Sequence, residues 1–298
     1  MSRESVSNGK GSRVHSLCGG KIASRKIALR GMRGLEKELT TRSARDWARQ
    51  REVTKQLNRV YAPLRKISGD DEYVDELLRG FRSRYSGFRK RKPSRPTSRK
   101  DTERIYLGSL GARVAPPYDY SWVFRDPDPG DVGLTANAAN GEMSFLIDSF
   151  GNDDYNSSAG IALGIYFRPV TDVGRLAVWS DPSFADSWYD YAWFSASHSD
   201  AFMGLYIGSY DDNGNFTGAV VNQQHSLWDD DSHVSDSGHH EDPNPGYFLN
   251  ASCTVDRSHQ YIIWVWAGGR AAADQVFGGA SAGSALYVVI PSITWELT

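Results

Sequence analysis

The sequence has few cysteines and no long apolar run. Cys18 and Cys253 are the only cysteines among its 298 residues, which excludes a disulfide-stapled scaffold. No stretch approaches the ~18 consecutive apolar residues that a membrane-spanning helix requires. No apolar segment of the secretory type stands near the start. The sequence therefore specifies no compartment, and a cytoplasmic location is the default expectation.

Recognisable catalytic motifs are also missing. The chain contains no D-x-[DN]-x-[DN]-G calcium loop, no H-E-x-x-H zinc helix and no Gly-rich phosphate loop ahead of a helix. His198-Ser199-Asp200 places a base beside an acid, but catalytic triads are assembled across a fold rather than along a sequence. We therefore predict no catalytic residues. A hydrolase that uses two facing carboxylates is kept as an alternative.

Charge divides the chain into two unlike parts. Residues 1–104 hold 28 Lys and Arg against 12 Asp and Glu, a net charge of +16. Residues 105–298 hold six Arg, no Lys and 24 acids, a net charge of −18. A basic arm is attracted electrostatically to polyanions or to an acidic surface. One such surface belongs to the same chain, so the arm is expected either to bind an external partner or to fold back on the second part.

The basic part subdivides by composition. Residues 1–34 have no apolar periodicity and predict a disordered basic tail. Residues 35–88 show loosely spaced apolar positions among charges and predict a helical segment, which Pro63 should end or kink. Pro63 would divide the segment into two short helices. Short helices are marginal alone in water, so these two should form a hairpin, dock on the second part of the chain or self-associate. Residues 89–104 form a basic, proline-containing linker.

Residues 105–298 carry the pattern of an all-β domain. Short apolar runs recur every ten to fifteen residues, separated by turns such as Asn140-Gly141. The run Tyr261–Trp266 is apolar on both faces and predicts a central strand that holds two sheets together. Pro291 should bend the last strand or place it at an edge. The fold class predicted is mainly β: an antiparallel, jelly-roll-like β-sandwich preceded by a basic, partly helical and partly disordered arm.

An aromatic strand is the first candidate binding site. Strand alternation places Tyr189, Tyr191 and Trp193 on one face, where exposed rings would stack on sugars or bases. Trp179 and Trp228 offer a second platform, provided that their rings are also exposed. The alternative interpretation is that these rings belong to the inter-sheet core.

A stretch rich in Asp and His is the candidate metal site. Carboxylates suit Ca²⁺ and imidazoles suit Zn²⁺ or Ni²⁺, although the spacing matches no defined loop. The alternative is a polar loop kept soluble by its charges. The candidate ligands are Asp229, Asp230, Asp231, His233, His239, His240, Glu241 and Asp242.

The linker is the candidate polyanion site. Its cations would neutralise phosphates of nucleic acid or meet another acidic surface, and few aromatics accompany them, so base recognition is not indicated. A bare tether is the equal alternative. The cations are Arg89, Lys90, Arg91, Lys92, Arg95, Arg99 and Lys100.

The leading hypothesis is a non-enzymatic binding or assembly module. The sandwich would present its loops to a ligand, with a glycan as the first expectation, and the arm would tether it. The alternative is a shell or capsid-like subunit with a nucleic-acid-binding arm, an analogy at the level of fold only. Oligomerisation is compatible with both hypotheses.

Overall fold

One long helix precedes fourteen strands in the part of the chain that the structure describes. The structure is a computed structural model that describes residues 24–68, 111–126, 131–148, 154–170, 172–193, 195–232, 236–240, 248–274 and 279–298. The elements are α1 (Arg25–Ser68), β1 (Gly111–Val114), β2 (Tyr120–Arg125), β3 (Asp131–Asn137), β4 (Glu142–Asp148), β5 (Tyr155–Phe167), β6 (Val173–Ser180), β7 (Ser183–Trp193), β8 (Ala196–Tyr210), β9 (Phe216–Ser232), β10 (Asp236–His240), β11 (Leu249–Asp256), β12 (Gln260–Asp274), β13 (Gly279–Val289) and β14 (Ile293–Leu297).

Three antiparallel sheets make up the β domain, as expected for a mainly β sandwich. One layer is a five-stranded sheet in the order β2-β5-β12-β8-β9, which we call the helix-side sheet. The other layer consists of a four-stranded sheet, β1-β14-β6-β11, and a second five-stranded sheet, β10-β7-β13-β4-β3. A continuous apolar core with members from all three sheets fills the space between the layers.

The second layer is divided in two where two strands are interrupted at the same level. Pro182 lies between β6 and β7, and Pro291 lies between β13 and β14. Because β6 pairs with β14 and β7 pairs with β13, the two breaks lie side by side on paired strands. Proline has no N–H to donate to the ladder, so pairing stops there and restarts in another sheet. The interruption expected at Pro291 is therefore present.

Helix α1 forms a third layer on the outer face of the helix-side sheet. Ala28, Met32, Leu35 and Leu39 recur at helical spacing and are buried against that sheet. This contact explains why the helix begins at Arg25, inside the stretch predicted to be a disordered tail. A helix that is marginal alone gains its stability from packing. Pro63, expected to end or kink the helix, lies within its bounds.

The central strand Tyr261–Trp266 is covered differently on its two faces. It lies in β12, the middle strand of the helix-side sheet, as the sequence predicts. Its odd-numbered residues pack between the sheets. Its even-numbered residues, including Trp264 and Trp266, pack in the layer beneath α1. The expectation that both tryptophans hold the two sheets together was wrong, because the basic arm supplies the covering layer.

Close contact between α1 and the sheet depends on a helical glycine. The Tyr210 hydroxyl donates to the backbone oxygen of Ala28 at 3.0 Å, and the Tyr206 hydroxyl donates to that of Gly31 at 3.0 Å. A Cβ atom on Gly31 would lie well inside van der Waals contact with the Tyr210 hydroxyl. Glycine at this position lets the helix backbone approach the two tyrosine rings.

Candidate functional site

The outward face of the four-stranded sheet carries a lateral row of mixed side chains. Arg113 pairs with Thr294, Thr294 with Trp179, and Trp179 with Asn250, so one row crosses all four strands. Cross-strand neighbours lie ~5 Å apart, and their side chains share one face of the sheet. The row therefore places a guanidinium, a hydroxyl, an indole and an amide side by side.

A small open cavity lies at this row, beside the break between the two sheets of the second layer. Its volume is about 280 Å³. Phe248 is 55% exposed and Trp179 is partly exposed. The lining residues are Arg113, Trp179, Ser180, Asp181, Phe248, Ser292 and Thr294. Two accessible rings therefore lie beside polar groups, which is a different environment from that of the buried aromatic core.

Hydrogen bonds hold the polar part of this cavity in place. The Arg113 Nε donates to the Ser292 hydroxyl at 2.8 Å, and the Ser180 hydroxyl donates to the Ser292 carbonyl oxygen at 2.8 Å. Ser292 follows Pro291 in the break, so the irregular backbone supplies the anchor for Arg113. The hydrogen bond to Ser292 fixes the orientation of the guanidinium at the cavity wall.

A second, larger cavity lies between α1 and the edge of the helix-side sheet. Its volume is about 820 Å³. The helix contributes four cations and two acids to its wall, whereas β8 and β9 contribute His198, Asp200, Gln224 and Asp229 among other residues. Among its described lining residues there is no Trp, Tyr or Phe. The cavity is a charged groove and offers no ring on which a sugar could stack.

Asp200 is the most buried acid of the groove. Its Oδ2 lies 3.1 Å from the His198 Nε2 and 3.7 Å from the Arg42 Nη2. His198 also lies 3.9 Å from the Asp229 Oδ1. The Asp200 side chain is therefore balanced by a cation from α1 and an imidazole from its own strand. A buried carboxylate requires such partners.

Arg270 makes a further polar connection between helix and sheet. Its Nε donates to the Asn156 Oδ1 at 2.8 Å, and its Nη2 donates to the Gln50 Oε1 at 3.1 Å. Its Nη1 also lies 3.7 Å from the Asp46 Oδ2. The guanidinium is nearly fully buried, so these contacts compensate its desolvation. The contact between α1 and the sheet thus combines apolar packing and tyrosine hydrogen bonds near Arg25 with a network of polar side chains around Gln50.

The structure corrects the aromatic platform expected from the sequence. Tyr189 and Tyr191 are buried, and the Tyr189 hydroxyl donates to the Asp148 carboxylate at 2.7 Å. Trp228 is also buried and stacks on Trp188 with 5.3 Å between ring centroids. These rings are therefore not available to a ligand. The side chain of Trp193 lies outside the described part of the chain.

The predicted metal ligands are only partly described. Asp229 and Asp230 are successive residues of β9, so their side chains point to opposite faces of the sheet. The backbone of His239 and His240 belongs to β10, which is in a different sheet. Among the described residues, no group of three or more His, Cys, Asp or Glu side chains converges as a metal site. The other predicted ligand side chains, Asp231, His233, His239, His240, Glu241 and Asp242, lie outside the described part, and metal binding stays a prediction.

The linker cations, Arg89 to Lys100, also lie outside the described residues, and polyanion binding by the linker stays a prediction. Trp179 was an expected alternative platform, whereas Phe248 was not predicted. Strand alternation was the available signal. Leu249, Ala251, Cys253 and Val255 point inward, which places Phe248 on the opposite, polar face. No described helix combines the length and apolarity needed to cross a bilayer.

No protein-family model and no curated protein matches the chain. A carbohydrate-binding module of the β-sandwich superfamily is similar at 10% identity and a TM-score of 0.20, over 58% of this chain and 56% of that one. The active domain of bacteriophage CBA120 tailspike protein 4 is similar at 14% identity and a TM-score of 0.20, over 60% and 19%. A carbohydrate-binding module solved with β-1,4-galactotriose is similar at 13% identity and a TM-score of 0.16, over 58% and 90%. At these TM-scores the similarities support no conclusion, and the proposals below rest on the geometry of this chain.

Proposed function

We propose that the chain is a glycan-binding module whose ligand lies at the cavity beside Trp179 and Phe248. The supporting observation is the exposure of two rings beside the polar row of the four-stranded sheet. A pyranose ring has an apolar C–H face and a rim of hydroxyls. Aromatic rings bury the first, while guanidinium, carboxylate and hydroxyl groups exchange hydrogen bonds with the second.

The polar groups at the cavity suit a neutral sugar. Arg113 donates, Asp181 accepts, and the Ser and Thr hydroxyls do both. Because the cavity is small and open, it would hold the end or one unit of a glycan rather than enclose it. Binding of this kind requires no catalytic group, in agreement with the absence of a catalytic motif in the sequence.

The direct test is a glycan array probed with the full-length chain, with and without Ca²⁺, followed by calorimetry with the best ligand. Trp179→Ala and Phe248→Ala should each weaken binding by about tenfold. Loss of ring contact is worth on the order of 1–2 kcal/mol, and 1.4 kcal/mol is a factor of ten. Arg113→Ala should weaken binding through loss of its hydrogen bonds.

Trp47→Ala is the matched control, because it removes a partly exposed indole on α1, on the opposite side of the helix-side sheet. It should leave the affinity unchanged. An array without ligands would reject the proposal. Equal losses in Trp47→Ala and Trp179→Ala would reject this cavity as the site while leaving glycan binding itself intact.

A further inference from the structure

The solvent-facing side of α1 carries cations in a regular row. Lys26, Arg30, Arg33 and Lys37 are exposed and separated by four, three and four residues, which keeps them on one face of the helix. At a rise of ~1.5 Å per residue the row is about 16 Å long. None of these four side chains forms an ion pair with any residue that the structure describes. We call this row the basic stripe.

The acids of this part of α1 are held at its flanks. The Glu36 carboxylate accepts a hydrogen bond from the Trp122 indole of β2 at 3.1 Å. The Glu38 carboxylate accepts one from the Asn222 amide of β9 at 2.6 Å. One acid therefore contacts the sheet on each side of the helix, and neither interrupts the basic stripe. The basic stripe itself therefore contains no acid.

Docking of α1 does not require the basic stripe. The cations that the sheet does use are others: Arg42 lies 3.7 Å from Asp200, and Arg51 donates to Asp154 at 3.2 Å. The apolar contacts of α1 lie on its opposite face. Like charges at these spacings repel and cost the helix stability. The basic stripe destabilises the helix by charge repulsion and forms no ion pair with the described residues, which indicates that it binds an external anion.

Two observations limit the kind of anion. The apolar face of α1 is buried against the sheet, so the helix cannot insert an apolar face into a membrane as interfacial helices do. Residues 105–298, which supply the sandwich, carry a net charge of −18, so this region as a whole repels a polyanion, whereas the basic stripe attracts one. A long, thin polyanion laid along the helix satisfies both conditions.

We propose that the basic stripe binds the phosphodiester backbone of nucleic acid without regard to sequence. The regular row of cations would track successive phosphates, and the guanidinium groups of Arg30 and Arg33 would contact phosphate oxygens with two N–H groups each. No aromatic side chain belongs to the stripe, so no base is recognised. This interaction is independent of the glycan site, which lies on the other side of the sandwich.

The test measures the salt dependence of nucleic-acid binding by the full-length chain. Fluorescence anisotropy with a labelled single-stranded 20-mer and with its duplex would be recorded between about 50 and 300 mM salt. The variant Arg30→Gln/Arg33→Gln/Lys37→Gln removes three phosphate contacts. The slope of log K against log salt should then fall by about 2 for the single strand and by about 3 for the duplex. At 0.1 M salt the affinity for the single strand should fall by about a hundredfold.

Three controls keep the result interpretable. Arg125→Gln/Arg168→Gln/Arg257→Gln changes the net charge equally on the sandwich and should preserve the slope. Arg30→Lys/Arg33→Lys keeps both charges but loses the paired N–H contacts, so the salt slope should be preserved while the affinity falls moderately. An unchanged slope in the stripe variant overturns the proposal, as does an equal change in the sandwich variant. Binding to heparin without binding to either nucleic acid also overturns it.

Discussion

Replacing Gly31 by alanine tests the contact between α1 and the helix-side sheet. The added methyl group would overlap the Tyr210 hydroxyl and lie 2.9 Å from its Cζ. Either the ring or the helix must move, and the hydrogen bond from Tyr210 to the Ala28 carbonyl would be lost. Gly34 is the matched control on the same helix, because a methyl group there lies 3.5 Å from the Tyr206 hydroxyl, an ordinary contact.

The two substitutions should have opposite signs. Alanine is favoured over glycine inside a helix by about 1 kcal/mol, which applies to both positions. At Gly31 the gain is opposed by about 1–3 kcal/mol for a buried hydroxyl without its partner and by about 1–3 kcal/mol for overpacking. We therefore expect Gly31→Ala to lower the free energy of unfolding by about 1–5 kcal/mol. We expect Gly34→Ala to raise it by about 1 kcal/mol.

Urea unfolding followed by circular dichroism and tryptophan fluorescence measures both changes. Fluorescence is informative because Trp264 and Trp266 are buried in the layer beneath α1. Tyr210→Phe in the Gly31→Ala background removes the overlapping hydroxyl and should restore part of the loss. If Gly31→Ala stabilises the protein as much as Gly34→Ala, α1 does not pack on the sheet as described.

Three further predictions concern single side chains. Burial raises the pKa of the Cys253 thiol to about 11 from an ordinary value of 9.0, so at pH 8 the fraction present as thiolate falls about a hundredfold. In a Cys18→Ser background, iodoacetamide should therefore label the native chain far more slowly than the urea-unfolded chain. Equal labelling rates would contradict the burial of Cys253. Hydrogen bonds from Ser258, and secondly from His259, lower the pKa of Asp256. The ionised Asp256 carboxylate therefore stabilises the fold above its unfolded pKa, and this stabilisation is lost as the pH falls through the lowered pKa. The free energies of unfolding of Asp256→Asn and of the parent chain should converge in acid, and a difference that stays constant with pH would contradict the pKa shift. Arg270→Leu removes the donor to the Gln50 Oε1 and one of two donors to the Asn156 Oδ1, the other being the Ser43 hydroxyl. It should lower the free energy of unfolding by about 1–3 kcal/mol in urea titrations. An unchanged free energy of unfolding would show that the buried network is not coupled to folding.

The sequence alone was sufficient for the β domain. Turn dipeptides, alternating strands and the doubly apolar run Tyr261–Trp266 predict an antiparallel sandwich because each of these signals is local. The interruption at Pro291 was predictable for the same reason, since a missing N–H acts on its own residue. The charge division predicts a boundary between a basic arm and an acidic domain near residue 104, and that boundary stays a prediction.

The candidate sites could not be predicted from local sequence patterns, because they depend on which side chains are buried. Tyr189, Tyr191 and Trp228 have the composition of a binding platform, but an aromatic strand looks the same whether its rings are buried or exposed. Trp179 and Phe248 lie far apart in the sequence and meet only because β6 pairs with β11. The polar row that includes Trp179 also needs β1 and β14, which come from opposite ends of the domain.

Residue types and their local order thus determined which segments form strands and which part of the chain is basic. Tertiary structure alone decided what covers each face. Helix α1 begins earlier than its own propensity indicates because the sheet offers an apolar surface to Ala28 and Met32. The same docking turns Trp264 and Trp266 toward the helix and leaves the basic stripe facing solvent. Burial depends on the elements that come together in three dimensions, and that information is spread over the whole chain rather than held in any one stretch.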